Sequence, residues 1–325
     1  MKRAPPFARG RRGAALLLAM IILALVTTLA AGMVWQQKRA VQVEAAERAR
    51  AQAGWILTGA LDWARLILRE DLRSSQQRSS FYTAASDPWA TPLDEARLSS
   101  FLASDQSNNA DSGPEAFISG LITDAQSRYN LRNLVDATGK PVPLQVAALQ
   151  RLADLAGAPS DTASLLATAL GQALAPAAAG GDPRGPPIRP ATYADLNWLG
   201  LDGATLERLA PYVELLPLAT PVNANTAARE VLVAAIDGLD LGTAERLVQA
   251  RQRAPFDSLA ALQAQLPKDL KADAARVGVA SSWFDVAGRL RLEERVLEER
   301  SLLQRENGTV FIRRRERHSF AASPR

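Results

Sequence analysis

The sequence predicts an α+β fold: one very long amino-terminal helix, a small antiparallel sheet, and a large all-α segment inserted into that sheet. Three observations carry this prediction. An uncharged apolar run at 14–35 passes without a break into a helical pattern. Short stretches of apolar/polar alternation lie near 120–135 and again over 281–316. Between them sits an Ala/Leu-rich region containing an internal repeat. The 325 residues give room for two or three folded units. With 47% apolar and 22% charged residues, wholesale disorder is excluded. There is no cysteine and a single histidine, His318. Disulfides, thiol nucleophiles, Cys/His zinc sites and any Ser-His-Asp triad away from His318 are therefore excluded.

The basic balance, +4 overall, belongs to the two ends. Residues 1–13 hold five cations and no acid, and residues 313–325 hold five arginines against Glu316. The body, 14–312, is about −5. A phosphate-binding protein shows the opposite, a basic face on its folded part.

Residues 14–35 are 22 positions without a charge, enough for a bilayer-spanning helix. A cleaved secretory signal has a shorter apolar core ending in a small-residue cleavage site. Here the run is longer and continues as helix, which favours a retained anchor with the basic 1–13 flank cytoplasmic and the remainder exported. Over 36–72 the spacing of Ala45, Ala49, Gln52, Ile56, Ala60, Trp63 and Ile67 predicts an amphipathic continuation whose stripe packs on the protein's own sheet, with its membrane-proximal end open to a partner helix as the alternative.

A basic leader, then Gly13-Ala14, then an apolar helix running into an amphipathic one, resembles the type IV pilin-like amino terminus. In that family the prepilin peptidase cuts after the glycine, which implies cleavage between Gly13 and Ala14. Most members carry glutamate as the fifth mature residue; here that position is Leu18. The departure resembles one member, the large K-type minor pseudopilin of type II secretion systems. An unmatched carboxylate in lipid is costly, so a subunit with none above it has no use for one.

Residues 73–135 are assigned to the first part of a pilin-like domain, mostly loops with one helix at 93–103. Leu121-Ile122 and Tyr129 with Leu131 are expected as two short strands joined by a turn at Asp124 to Ser127. Gly120, Asp124, Asn130, Leu131, Asn133 and Leu134 resemble the K-family signature Gly-x-x-x-Asp…Asn-Leu-x-Asn-Leu.

Residues 136–275 are expected to be the helical insert, in two repeats at about 136–217 and 218–275. The Ala/Leu-rich stretch 144–174 is split near Gly157-Ala158-Pro159, and the Gly/Pro-rich stretch 176–190 must be loop. Gly200-Leu201-Asp202-x-x-Thr205-x-Glu207-Arg208-Leu209 recurs as Gly238-Leu239-Asp240-x-x-Thr243-x-Glu245-Arg246-Leu247, with seven identities at an offset of 38. Each copy predicts a helix ending at a glycine turn and then a second helix. Asn225 or Thr226 is expected to cap a helix at 227–236. This unit is similar to helix-hairpin-helix DNA-binding modules, with Ala244, Val248 and Arg251 a loose match. Such a hairpin cradles phosphate on backbone amides. Here the loop 237–242 is two residues longer and carries Asp237 and Asp240, so a structural, SAM-like bundle is the better reading. K-type pseudopilins carry such an insert inside their sheet.

Residues 276–316 are read as the remaining strands. Trp283 to Glu293 alternate, and Asn307-Gly308 marks a hairpin turn. The stretch 292–303 also fits a helical face. Residues 317–325 are expected as a solvated basic tail, with His318 too mobile to serve as a general base.

There is no catalytic constellation, no Walker loop and no Gly-x-Gly-x-x-Gly fingerprint, so no enzyme is expected. Asp105, Asn109 and Asp111, with Asn108 and Glu115, form an oxygen-rich run suited to calcium, but it lacks EF-hand spacing. A solvated loop without cofactor is the preferred reading. The resemblance implies a single-pass inner-membrane protein with periplasmic bulk. It would assemble with the I, J and H minor pseudopilins, the prepilin peptidase and the inner-membrane assembly platform, at the pseudopilus tip. Leu18, Ile56 and Trp63 are the candidate assembly residues, and no nucleic acid is expected. The competing class is a membrane-anchored helix-hairpin-helix DNA-uptake protein.

Overall fold

A computed structural model describes residues 12–77, 81–98, 116–175, 188–292 and 295–321. The chain divides into two compact units, 1–56 and 57–325. The first is described from residue 12 and is entirely helical, the leading part of helix α1 (Arg12–Gln77). Its apolar side chains from Leu16 to Trp35 are exposed. The hydroxyls of Thr27 and Thr28 donate to their own helix, at the carbonyls of Leu23, Ala24 and Leu25. Among the described residues this is the one helix long and apolar enough to cross a membrane. Past its first turn the helix meets its backbone hydrogen bonds within itself, as lipid requires.

The second unit begins with the end of α1. Leu57, Leu61, Ala64, Leu68 and Leu72 are its buried row. The predicted stripe lies one residue off this row: Ala60 and Ile67 are half-buried beside it and Trp63 faces outward. Apolar residues occupy both rows, so periodicity gives the arc and only the facing sheet decides its centre.

That sheet has five antiparallel strands in spatial order β1 (Leu93–Arg97), β2 (Ala116–Asp124), β7 (Trp283–Leu292), β8 (Arg295–Glu306) and β9 (Thr309–Ala321). The start of the helix expected at 93–103 is thus strand β1, because pairing along the edge of β2 overrides a weak local propensity. Residues 99–103 lie outside the described residues. Leu61, Ala64 and Leu68 pack with Trp89, Ile122, Phe284, Val286, Leu303 and Val310. On the opposite face Trp283 and Leu302 join Ala125 and Leu216. The expected half-buried pattern of β7 therefore holds only away from this doubly covered end.

The hairpin expected between Leu121 and Leu131 does not form. Strand β2 runs to Asp124, whose Oδ1 accepts the Gln126 amide at 2.8 Å and starts a 3-10 turn at Ala125–Ser127. The chain then leaves the sheet. Strand β3 (Tyr129–Asn130) pairs in parallel with β4 (Val213–Glu214) instead.

The helical region contains α2 (Pro143–Leu155), α3 (Thr162–Leu174), α4 (Gly203–Leu209), α5 (Arg229–Ala235), α6 (Leu241–Arg253) and α7 (Leu259–Gln265). A two-stranded parallel pair, β5 (Val222–Asn223) with β6 (Val277–Gly278), closes it. One hydrophobic cluster runs through these elements, including Leu149, Leu166, Leu170, Leu209, Leu232 and Leu247. It also takes in Tyr129, Leu131, Leu134, Val135 and Val277, beyond the 136–275 limits read from sequence. Those limits followed helical composition, whereas the core also recruits the strand and turn that enter and leave it.

The ambiguous stretch 292–303 is strand where described. Asn307 and Gly308, at φ 51° and 78°, make the tight turn to β9. The basic end is no free tail as far as residue 321. Arg313 pairs with Glu306 at 2.9 Å, Arg314 with Glu316 at 2.8 Å, and Arg315 and Arg317 both reach Glu299. His318 sits in β9 opposite Glu298. Alternating charges on β9 answering those on β8 hold as strand what looked like a solvated run.

Candidate functional site

Two regions of the second unit carry the family-like residues: the outer side of α1 on the sheet, and the junction where the helical region leaves it. Beside α1 lies an apolar cleft of about 260 Å³. Leu57, Ala60, Trp63 and Ile67 form one wall, Trp89 and Leu93 another. Its floor is Gly120 and Gly288, which are register partners. A Cβ on Gly288 would meet Leu57 at 3.4 Å, and one on Gly120 would press on the Ala287 carbonyl at 3.3 Å. The first signature residue, Gly120, thus lies where two strands approach closely, and its register partner Gly288 lies where helix and sheet do. Trp63 borders the cleft and stays 54% exposed. Ile56, the last residue of the first unit, is half-buried, and Leu18 is 62% exposed on the uncharged 14–35 stretch of α1.

At the junction, Asp124 is buried, at 3% exposure. Its Oδ2 accepts Ser281 Oγ at 2.6 Å, Thr226 Oγ1 at 2.6 Å and Asn223 Nδ2 at 2.8 Å. Burial pushes its carboxyl above the ordinary value, against these hydrogen bonds, which favour the charged form. Asn223 also donates to the Thr83 carbonyl at 3.0 Å. Thr83 Oγ1 accepts Arg305 Nη2 at 2.8 Å, and Arg305 Nη1 reaches Asp71 at 2.6 Å. Arg305 lies 4.4 Å from the centre of the Phe284 ring. One buried polar chain thus links α1, the 81–87 loop, β8 and the helical region. Buried ions in such a chain are tolerable only when each is answered.

The remaining signature residues do parallel work. Asn130 donates to the Leu218 carbonyl at 2.7 Å and accepts the Leu216 amide at 3.2 Å. Asn133 exchanges both bonds with the backbone of Thr220, at 2.8 and 3.0 Å. Leu131 and Leu134 are fully buried. Arg128 bridges Glu214, at 2.7 Å, and Asp285, joining β4 to the sheet. Asn225 and Thr226 cap no helix: α5 starts later, behind Ala228. Asn225 instead holds Phe256 through both its amide and its carbonyl, at 2.8 and 2.9 Å, and Thr226 is committed to Asp124.

The repeat is structural. Gly200 and Gly238 have φ of 90° and 78°. Asp202 and Asp240 cap α4 and α6, each accepting the amide and the hydroxyl of the threonine three residues on. Asp237 pairs with Arg151 at 2.6 Å and Arg276 at 2.5 Å. Both acids of the hairpin are therefore bound within the chain, and a phosphate there would meet two carboxylates. Arg251, half-buried, donates to the Ala224 carbonyl at 2.6 Å.

Gly13 and Ala14 lie in the first turn of α1, with no side-chain surroundings described. Asp105, Asn109 and Asp111 lie outside the described residues. Among the described residues no three acids or histidines group to hold a metal ion. Arg305, Asn223 and Ser281 were missed by sequence reasoning. Nothing in their spacing marks them, since the side chains they join lie 58 to 234 residues away.

A long amino-terminal helix packed on an antiparallel sheet, with a helical module spliced between two of its strands, defines a pilin-like subunit with a membrane-spanning start. Comparison with known proteins is specific. Two family models, both described as type II secretion system protein K, match residues 127–218 and 222–280. Type II secretion system protein K of Pseudomonas aeruginosa is 28% identical over 95% of this chain and 93% of the relative. That of Pectobacterium carotovorum is 29% identical over 94% and 96%, and that of Klebsiella pneumoniae 29% over 93% and 95%. A chain of the crystal structure of the GspK-GspI-GspJ complex from enterotoxigenic Escherichia coli superposes with a TM-score of 0.60 at 18% identity. The match covers 84% of this chain and 98% of that one, and supports the fold. Over nearly its whole length the chain is similar to type II secretion system protein K, and the two family models lie end to end across its helical region.

Proposed function

We propose that this chain is the minor pseudopilin at the tip of a periplasmic pseudopilus, where it starts assembly and closes the fibre for export of folded proteins across the outer membrane. Leu18 carries this reading. A subunit within a pilin-like fibre answers its neighbour's charged amino terminus with a carboxylate at that depth. Leu18 offers none, so the chain can donate its own amino group, at Ala14 after cleavage, but cannot receive one. The helical region argues the same way, since repeated along a shaft it would crowd its neighbours.

Its partners are the I, J and H minor pseudopilins, two of which share the complex of the structural relative. The 36–72 part of α1, with Ile56 and Trp63, is the contact, and Trp63 beside the apolar cleft suits a helix from another subunit. The prepilin peptidase acts between Gly13 and Ala14, and the assembly platform receives the mature chain in the inner membrane. The role is mechanical, with no catalytic step and no resident cofactor. The commitment of Asp237 and Asp240 to ion pairs and a helix cap supports this reading over DNA uptake. Quantitative mass spectrometry of isolated pseudopili tests it. We expect about one copy per fibre; amounts comparable to the major subunit, or label along the shaft, would refute the capping role.

A further inference from the structure

The first unit ends its apolar run in an arrangement that its helical role does not require. The 22 uncharged residues at 14–35 span about 33 Å of helix at ~1.5 Å per residue, against a hydrocarbon core of about 30 Å. Trp35 closes the run, 66% exposed. One turn further on, the Arg39 guanidinium lies 5.8 Å from the centre of the Trp35 ring. Lys38 stands beside it. Neither cation makes an ion pair among the described residues, and the first acid after the run is Glu44. An exposed indole with a cation on its face, at the depth where hydrocarbon ends, is chemically matched to a phospholipid: the ring sits among the glycerol esters, and the guanidinium fork takes the phosphate.

We infer that Trp35, Lys38 and Arg39 form a lipid-phosphate site that fixes the depth of α1 in the bilayer. The occupant is the phosphodiester of a membrane glycerophospholipid. With Arg39 over the Trp35 ring and both residues exposed, the guanidinium keeps donors that a headgroup phosphate can meet. Lys38 adds a second charge that phosphate answers.

The absence of cysteine makes the test direct. Single nitroxide labels are placed on the full chain through Ala31→Cys, Gln37→Cys and Val43→Cys, in vesicles of phosphatidylethanolamine and phosphatidylglycerol. Accessibility to oxygen and to a water-soluble nickel complex then gives depth. Oxygen should dominate at 31 and nickel at 43, with the crossover between 35 and 39. Combining Trp35→Ala with Arg39→Gln should let the helix slide inward by about one turn, ~5 Å, while Arg39→Lys alone should keep the crossover within half that distance. Saturating inorganic phosphate should leave it unmoved. Three results would overturn the inference: a crossover beyond Glu44, a crossover indifferent to the double substitution, or one displaced by inorganic phosphate. Concentration-dependent immobilisation of the label at 37 would point to a protein neighbour at this surface and overturn it as well.

Discussion

Replacing Asp124 by alanine removes the acceptor at the centre of the junction. Four donors use it: Ser281 Oγ, Thr226 Oγ1, Asn223 Nδ2 and the Gln126 amide. Asn223 keeps two other partners, the Thr83 carbonyl at 3.0 Å and Ser281 Oγ at 2.9 Å, so it loses least. Thr226 retains only the Asn223 carbonyl, at 3.5 Å. Ser281 and Gln126 lose their contacts to this carboxylate outright. Three stranded donors at about 1–3 kcal/mol each give a gross loss of roughly 3–9 kcal/mol. The recovered desolvation of the carboxylate, whose burial already raises its pKa, reduces this. We expect a net loss of about 3 kcal/mol, a large share of a typical folding free energy. Urea unfolding of the full chain in detergent, followed by tryptophan fluorescence and circular dichroism, measures it. A double-mutant cycle with Thr226→Val should show coupling above about 1 kcal/mol. A loss below about 0.5 kcal/mol for Asp124→Ala, or additive single effects, would refute the assignment of Asp124 as the tie between sheet and helical region.

Three further outcomes are expected. Asp202 and Asp240 have carboxyls held below the ordinary 3.8, first by the hydrogen bonds of Thr205 and Thr243. Their stabilisation is present above that value and lost as pH falls through the depressed one; helical circular dichroism from about pH 5 to about pH 2 should decline, and Asp202→Asn with Asp240→Asn should flatten the decline. Arg305→Ala leaves the buried Asp71 carboxylate without its guanidinium, and thermal unfolding should report about 3–5 kcal/mol of destabilisation, whereas an unchanged melt would exclude the polar chain as a structural tie. Gly13→Leu should leave the leader attached, seen as an unshortened amino terminus by mass spectrometry, and mature protein of normal size would contradict cleavage between Gly13 and Ala14.

The membrane span, the hairpin at Asn307-Gly308, the paired glycine turns and the split between α2 and α3 were legible in the sequence. Each depends on neighbours in the chain: a run of uncharged residues, an αL-tolerant dipeptide, a glycine before a capping aspartate. The signature residues were legible as a resemblance, but not their work, because beyond the local amides of Gln126 and Arg132 the partners of Asp124 and Asn130 lie 86 to 157 residues away. Where local and distant forces compete, tertiary structure decided. Leu93–Arg97 became strand because β2 had an edge to fill. Tyr129 left the expected hairpin for the helical core, and the arginines of β9 became ordered because Glu299 and Glu306 stand opposite. The buried row of α1 moved one residue from the predicted one for the same reason. Local sequence sets which conformations and faces are affordable, and the identity of the facing surface, which no local window contains, selects among them.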